Sequence, residues 1–312
     1  MAFSPIYRAT IVKGISLSGI IKNGGYHLTT FDVYENGRVS DWNFEDFNGF
    51  LKDVKKEWVV CSVPDGQELS CFNLGAWIIK DATWYYTPDT YIVFIKSLIT
   101  QMNPNWINIH TYQERQVNGI RIDESGEGTH YRPIPRYKGD IFSDRLNGAP
   151  FRLFQVKEGI YYLVFVVLYK DSSLSVFAFD GEQQMTFDDF KAAAERGEYQ
   201  TSLAPNTQVV IEHLGEFVIE QEEYSNDLHD VIGEMEEEYR ELNGEKTLSD
   251  QCKELFETYE TEPTEALKEQ LKVAYESVPE HLRMYILRDQ DSKDYPIIEV
   301  LYGEKYWENE EE

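Results

Sequence analysis

The sequence predicts an α+β fold: two similar tandem α+β domains, each an antiparallel sheet plus helices, followed by an acidic helical extension that ends in a β-hairpin. Three observations carry this. Residues 22–79 recur in outline at 157–219, strand-like and helix-like patterns alternate in the same order in both stretches, and acidic residues accumulate towards the C-terminus. Tyr26, Leu28, Tyr34 and Ser40 return as Tyr161, Leu163, Tyr169 and Ser175 at one offset. After an insertion, Phe44, Asp46 and Phe47 return as Phe187, Asp189 and Phe190. Ser62, Leu74, Gly75 and Ile79 return as Ser202, Leu214, Gly215 and Ile219, and Trp77 is replaced by Phe217. Each match is weak alone, but their common order and spacing indicate an internal duplication. The expected boundaries are 1–110 for the first repeat, 111–140 for a linker with a hairpin, 141–244 for the second repeat, and 245–312 for the extension.

In chain order, residues 4–12 and 15–21 are rich in β-branched residues and read as strands. Asn36-Gly37 marks a hairpin, because both residues accept positive φ. Asn43 is placed to cap a helix through FEDFNGFLKDVKK, with Glu45 and Asp46 in its first turn and Lys52, Lys55 and Lys56 near its end. Strands follow at EWVVCSV, ELSCFNL and AWIIKD. A helix runs from Thr87-Pro88-Asp89 to about Met102, apolar on more than one face and therefore expected to be deeply packed. WINIH reads as a strand and RQVNGIRI as a second Asn-Gly hairpin. The stretch rich in Gly, Pro and charge that follows groups His130, Tyr131, Arg132, Arg136, Tyr137 and Lys138; it reads as an exposed linker, with anion or partner contact as the alternative.

In the second repeat, YYLVFVVLY is a near-continuous apolar run, expected of a strand buried on both faces. TFDDFKAAAERGEY repeats the helix, and QVVIEHL and EFVIEQ repeat the strands. Ser225 or Asn226 is expected to cap LHDVIGEMEEEYREL, whose outer face carries Asp230, Glu234, Glu237, Glu238 and Glu241. Thr247 caps a further helix, and Pro263 begins another. HLRMYILR and PIIEVLYG are read as the two strands of the closing hairpin, and WENEEE as a disordered tail.

The formal net charge of −27 is unevenly spread: residues 221–312 hold 9 basic and 28 acidic groups. A field of that sign repels nucleic acid and anionic membranes and attracts basic proteins. The bland alternative is a solvated, solubilising surface. No run approaches the roughly 20 apolar residues of a membrane span, and the start of the chain lacks signal-peptide features. Cys61, Cys71 and Cys252 are too few and too scattered for a disulfide framework or a cysteine zinc site, so buried thiols and a cytoplasmic protein are expected.

Phosphate-loop, dinucleotide, metalloprotease and nucleophile-elbow motifs are all lacking in the sequence. No cofactor is therefore expected, and no catalytic residue is assigned. The histidines His27, His110, His130, His213, His229 and His281 are read as surface or satisfied residues. Asp289, Asp291 and Asp294 are a weak metal candidate, because a calcium loop needs a Gly and a bidentate Glu that this stretch lacks. The expected function is that of a non-enzymatic acidic protein which neutralises or inhibits a basic partner, such as a toxin, a nuclease or another nucleic-acid-binding enzyme, in the manner of an immunity protein, antitoxin or defence-related inhibitor that mimics nucleic acid. Its partner-binding residues would be Asp230, Glu234, Glu237, Glu238 and Glu241. Two alternatives stand beside it: an enzyme with a pocket between the repeats, and a self-associating scaffold that forms homo-oligomers.

Overall fold

The structure is a computed structural model, and it describes residues 12–40, 44–111, 114–117, 120–123, 136–137, 145–288 and 293–303. The first copy runs β1 (Gly14–Lys22), β2 (Tyr26–Tyr34), β3 (Arg38–Ser40), β4 (Phe44–Asp46), α1 (Phe47–Lys55), β5 (Val59–Val60), β6 (Glu68–Cys71), β7 (Gly75–Trp84) and α2 (Pro88–Met102). Four short strands follow: β8 (Glu114–Val117), β9 (Ile120–Asp123), β10 (Arg136–Tyr137) and β11 (Arg145–Leu146). The second copy runs β12 (Gly148–Lys157), β13 (Ile160–Tyr169), β14 (Ser173–Ala178), β15 (Gly181–Thr186), α3 (Phe187–Glu195), β16 (Tyr199–Gln200), β17 (Gln208–Ile211), β18 (Gly215–Ser225) and α4 (Leu228–Asn243). The extension is α5 (Leu248–Thr261), α6 (Glu265–Ser277), α7 (Glu280–Arg283) and α8 (Tyr295–Tyr302).

The two copies match element for element and in register, but Asp46, Phe47 and Phe50 align with Thr186, Phe187 and Phe190, so the sequence pairing of Phe44, Asp46 and Phe47 with Phe187, Asp189 and Phe190 is off by three residues. Tyr26, His27 and Leu28 of β2 lie parallel to Leu69, Ser70 and Cys71 of β6; Tyr161, Tyr162 and Leu163 of β13 lie parallel to Val209, Val210 and Ile211 of β17. Leu69 faces Trp77 across β6 and β7 as Val209 faces Phe217 across β17 and β18. The sheet is therefore mixed, not antiparallel as expected. The connection between the parallel strands passes through a helix, α1 or α3, and such a crossover returns the chain in its original direction. The insertion in the second copy lies in the β14–β15 hairpin, where six residues pair from Ser173↔Thr186 to Ala178↔Gly181 against three in β3–β4.

Local chemistry sets the element ends. The Asn36-Gly37 hairpin has a three-residue loop: Gly37 alone takes the left-handed conformation (φ 82°), and its N–H donates to the Tyr34 carbonyl. The equivalent residue is Ser172, also left-handed at φ 61°. Helix α1 starts later than expected. Asp46 is its N-cap, accepting the Gly49 N–H at 2.8 Å, and Glu45 lies on β4. Asn43 lies outside the described residues, as do residues 4–11, His130, Tyr131, Arg132 and Lys138. In the second copy Thr186 caps α3 by accepting the Asp189 N–H, and Asp227, not Ser225 or Asn226, caps α4. Helix α2 buries one stripe, Tyr91, Ile95 and Ile99, while Val93 stays 65% exposed, so it is a one-faced helix after all. The WINIH stretch forms turns, with Trp106 and Asn108 both at positive φ. The apolar run of β13 is buried continuously from Val166 to Tyr169, between β12 and β14.

The chain forms two compact units. The first comprises residues 1–135, 157–163 and 203–223. Its strands run in the order β13, β17, β18, β7, β6, β2, β1, β5, so the equivalent strands β18 and β7 are neighbours. Their approach is close: a Cβ on Gly215 would lie 2.7 Å from the Trp84 ring and 2.8 Å from the Thr83 carbonyl. Glu222 on β18 accepts the Leu203 N–H and the indole N–H of Trp77. Ile20, Phe31, Leu69, Trp77, Ile79 and Tyr91 form the buried centre of this unit.

The second unit comprises residues 136–156, 164–202 and 224–312. In it β12 and β14 flank β13, with Leu153, Phe154, Val166, Leu168, Phe190 and Tyr199 buried. The extension has a core of its own, built from Cys252, Phe256, Leu271, Tyr275, Val278, Ile286, Ile297 and Ile298. The expected closing hairpin is absent from it. Residues 280–283 and 295–302 are helices, and Ile297 and Ile298 pack inward with Leu301 behind them. Alternation in PIIEVLYG is imperfect, and Pro296 in the first turn with apolar residues at helical spacing suits a short helix against α6.

Candidate partner-binding surface

The five carboxylates expected to meet a partner lie on α4, which buries Val231 and Met235 on its inner face. They do not share one surface. After α4, Gly244 takes a left-handed conformation (φ 72°) and the chain turns into α5, capped by Thr247. This brings the α5 N-terminus to Glu237, which is only 6% exposed and accepts the Leu248 N–H. A carboxylate there satisfies the free amides and positive dipole end of α5. Burial pushes the Glu237 carboxyl up from its usual value, opposed by the Leu248 and Ser249 amides and by Arg240. Glu234 pairs with His281 of α7 at 3.0 Å, both side chains being largely buried. Asp230 and Glu238 are half-buried, and Glu241 is exposed. Glu234 and Glu237 thus hold the extension to α4.

The more open acidic surface lies on α5 and α6. Glu254, Glu257, Glu260, Glu262, Glu265 and Glu269 are all exposed. Lys246 reaches Glu254 at 2.7 Å, an exposed pair of the kind that contributes little stability. These residues follow from helix phase: Cys252 and Phe256 on α5, and Leu271 and Tyr275 on α6, turn inward and leave the glutamates outward. The signal was therefore present in the same periodicity that identified the apolar faces.

Chemistry elsewhere is sparse. Cys61, Cys71 and Cys252 are buried thiols outside any disulfide among the described residues. The Cys61 thiol donates to the Tyr86 carbonyl, and burial raises its pKa; burial pushes Cys252 up to about 12. Such thiols are poor nucleophiles at neutral pH. His27 bonds Ser70 at 2.7 Å, and His213 lies 3.0 Å from Glu212. The FEDF and FDDF acids sit at helix starts: Asp46 as a cap, Asp188 and Asp189 in the first turn of α3. Asp289 and Asp291 lie outside the described residues, while Asp294 is buried and accepts the Tyr275 hydroxyl at 2.6 Å. Among the described residues no three His, Cys, Asp or Glu side chains are grouped to hold a metal.

One cleft of the first unit, about 230 Å³, is lined by Lys22, Tyr26, Val59, Cys61, Pro88 and Tyr91 among others. The Tyr91 hydroxyl is buried and has no hydrogen-bond partner among the described residues. In the second copy Val231 stands in the place of Tyr91 and Tyr199 in that of Val59; the Tyr199 hydroxyl accepts from Gln155 at 3.2 Å.

A family model described as Domain of unknown function (DUF7638) matches two regions, residues 3–106 and 136–246. A second, described as Domain of unknown function (DUF7639), matches residues 247–312. The first pair of regions coincides with the two copies, and the second with the helical extension and its separate core. No curated protein and no solved structure matches the chain. No helix among the described residues is long and apolar enough to cross a membrane.

Proposed function

The chain belongs to the DUF7638 family, and we propose that it is a non-enzymatic acidic protein that binds a basic partner protein and thereby neutralises or inhibits it. A toxin, a nuclease or another nucleic-acid-binding enzyme has the required positive surface, and the role is then that of an immunity protein, antitoxin or defence-related inhibitor acting in the cytoplasm. The observation that carries this reading is the exposed carboxylate surface of α5 and α6, in a segment holding 28 acidic and 9 basic residues. The two helices share a packed core, which turns their glutamates outward on one module. Complementary charge of this kind speeds association and makes it salt-sensitive. The placement of Glu234 and Glu237 moves the proposed contact from α4 to α5 and α6, with Glu241 at its edge.

The test is an affinity pull-down at low salt, followed by titration of the captured partner. Joint substitution of Glu257, Glu260, Glu262 and Glu265 by Gln should weaken binding at least tenfold and flatten its salt dependence. A partner whose affinity ignores both changes would show that the charge only keeps the protein soluble.

A further inference from the structure

Both copies end their long helix with the same contact. Asn103 Nδ2 donates to the Glu35 carbonyl at 3.0 Å, and Asn243 Nδ2 donates to the Lys170 carbonyl at 3.3 Å. Glu35 and Lys170 hold equivalent places, each just after the last residue of its strand, Tyr34 or Tyr169.

Beyond that asparagine the copies part. In the first, residues 103–110 fold back over α1 and the β2–β3 loop. The Trp106 ring meets Phe47 edge-on at 5.9 Å, and its indole N–H donates to Thr100 at 3.0 Å. Lys96 Nζ lies 5.6 Å from the Trp106 ring centre. Ile109 lies against Gly37, and the His110 N–H donates to the Asn36 carbonyl at 2.8 Å. In the second copy Gly244 diverts the chain into α5 instead. The corresponding ground is an open cleft of about 490 Å³, entirely within the second unit, whose lining includes Phe187, Lys191, Glu236, Tyr239, Arg240 and Glu245.

We propose that this cleft is a docking site for a turn-forming segment of a partner protein, carrying an aromatic side chain next to a lysine or arginine. The first copy shows what this scaffold accepts: a turn-forming stretch with one aromatic anchor, tied by a backbone N–H to the hairpin loop. The residues changed between the copies state the charge. Where Lys96 lies beside the Trp106 ring, the second copy has the exposed carboxylate of Glu236, and Glu245 stands exposed at the rim. In the second copy that position instead offers a carboxylate, which an incoming cation would share with Lys191. Lys191 lies 4.8 Å from the Phe187 ring centre and is shared between Asp188 at 3.3 Å and Glu236 at 3.2 Å. Arg240, in the place of Thr100, adds a planar cation on which an aromatic ring can stack. This inference rests on the protein-binding reading and names one contact within it.

The probe is a synthetic peptide of residues 103–110 (NPNWINIH) carrying Ile107→Lys, titrated into the full-length protein and followed by calorimetry. It should bind, and adding Trp106→Ala to the peptide should weaken it at least tenfold, as for an aromatic anchor. Glu236→Lys in the protein, which restores the first copy's residue at an exposed site, should weaken the lysine peptide roughly tenfold and leave the unsubstituted peptide unchanged. No binding at millimolar peptide, or binding indifferent to both changes, overturns the proposal. A basic partner still captured through α5 and α6 when the peptide fails would sink the cleft alone; loss of both would sink the protein-binding reading as well.

Discussion

Tyr91 and Glu237 show how single side chains carry opposite kinds of cost. The Tyr91 hydroxyl is buried without a hydrogen-bond partner among the described residues, and its ionisation is pushed far up by burial. An unmet buried hydroxyl costs about 1–3 kcal/mol, whereas an apolar replacement of the same shape is nearly neutral. Tyr91→Phe should therefore leave the free energy of unfolding unchanged or raise it by about 1 kcal/mol, as measured by denaturant titration. A loss larger than about 1 kcal/mol would show that the hydroxyl is bonded after all. Glu237 is buried with one carboxylate oxygen accepting the Leu248 N–H and the other without a hydrogen bond among the described residues, and burial raises its folded-state value above the usual 4.5. A carboxyl raised in this way contributes stability that is full below pH 4.5 and is lost as pH rises through the folded value. Glu237→Gln keeps an oxygen to accept the Leu248 N–H and removes the titration. Its unfolding free energy should consequently fall less steeply than that of the parent protein as pH rises from about 4.5 towards neutrality. Identical slopes for the two proteins would contradict the raised value.

Among the elements, β7 and β18 carry the consequence of duplication most directly. They are equivalent strands placed side by side, and such pairing lets the edge of one copy satisfy the edge of the other. The approach depends on Gly215, where any Cβ would press on the Trp84 ring and the Thr83 carbonyl. The backbone atom cannot give way as a flexible side chain would. Gly215→Ala should cost about 1–3 kcal/mol of stability in thermal or chemical unfolding, the usual cost of overpacking. A neutral result would mean that the two strands are further apart than described. Helices α2 and α4 show the converse, one element with two fates: both keep the terminal asparagine contact, and the residues that follow decide whether the ground beside them is covered or open.

At the scale of the molecule, charge and modularity coincide. The first family model spans the two copies and the second spans the segment with its own core, which also carries the exposed glutamates of α5 and α6. Like charges presented on one module repel one another and attract an opposite surface, which is the physical basis of the function proposed above. The pull-down and salt titration described above act at this scale, because they read the summed field and not one pair.

How much of this was written in the chain follows from the range of the forces involved. Repetition of Tyr26, Leu28, Tyr34 and Ser40 announced the duplication, and the helices of the extension were legible as far as Ser277, because local periodicity and caps such as Thr247 are properties of neighbouring residues. The parallel pairing of β2 with β6, the apposition of β7 with β18, and the helical end at Tyr295–Tyr302 were settled by packing between residues distant in sequence. The candidate site divides in the same way. That the last third is acidic is a matter of composition. Which carboxylates reach water was decided by the turn at Gly244, which aims the start of α5 at Glu237 and buries a charge that the helical wheel alone had placed outside.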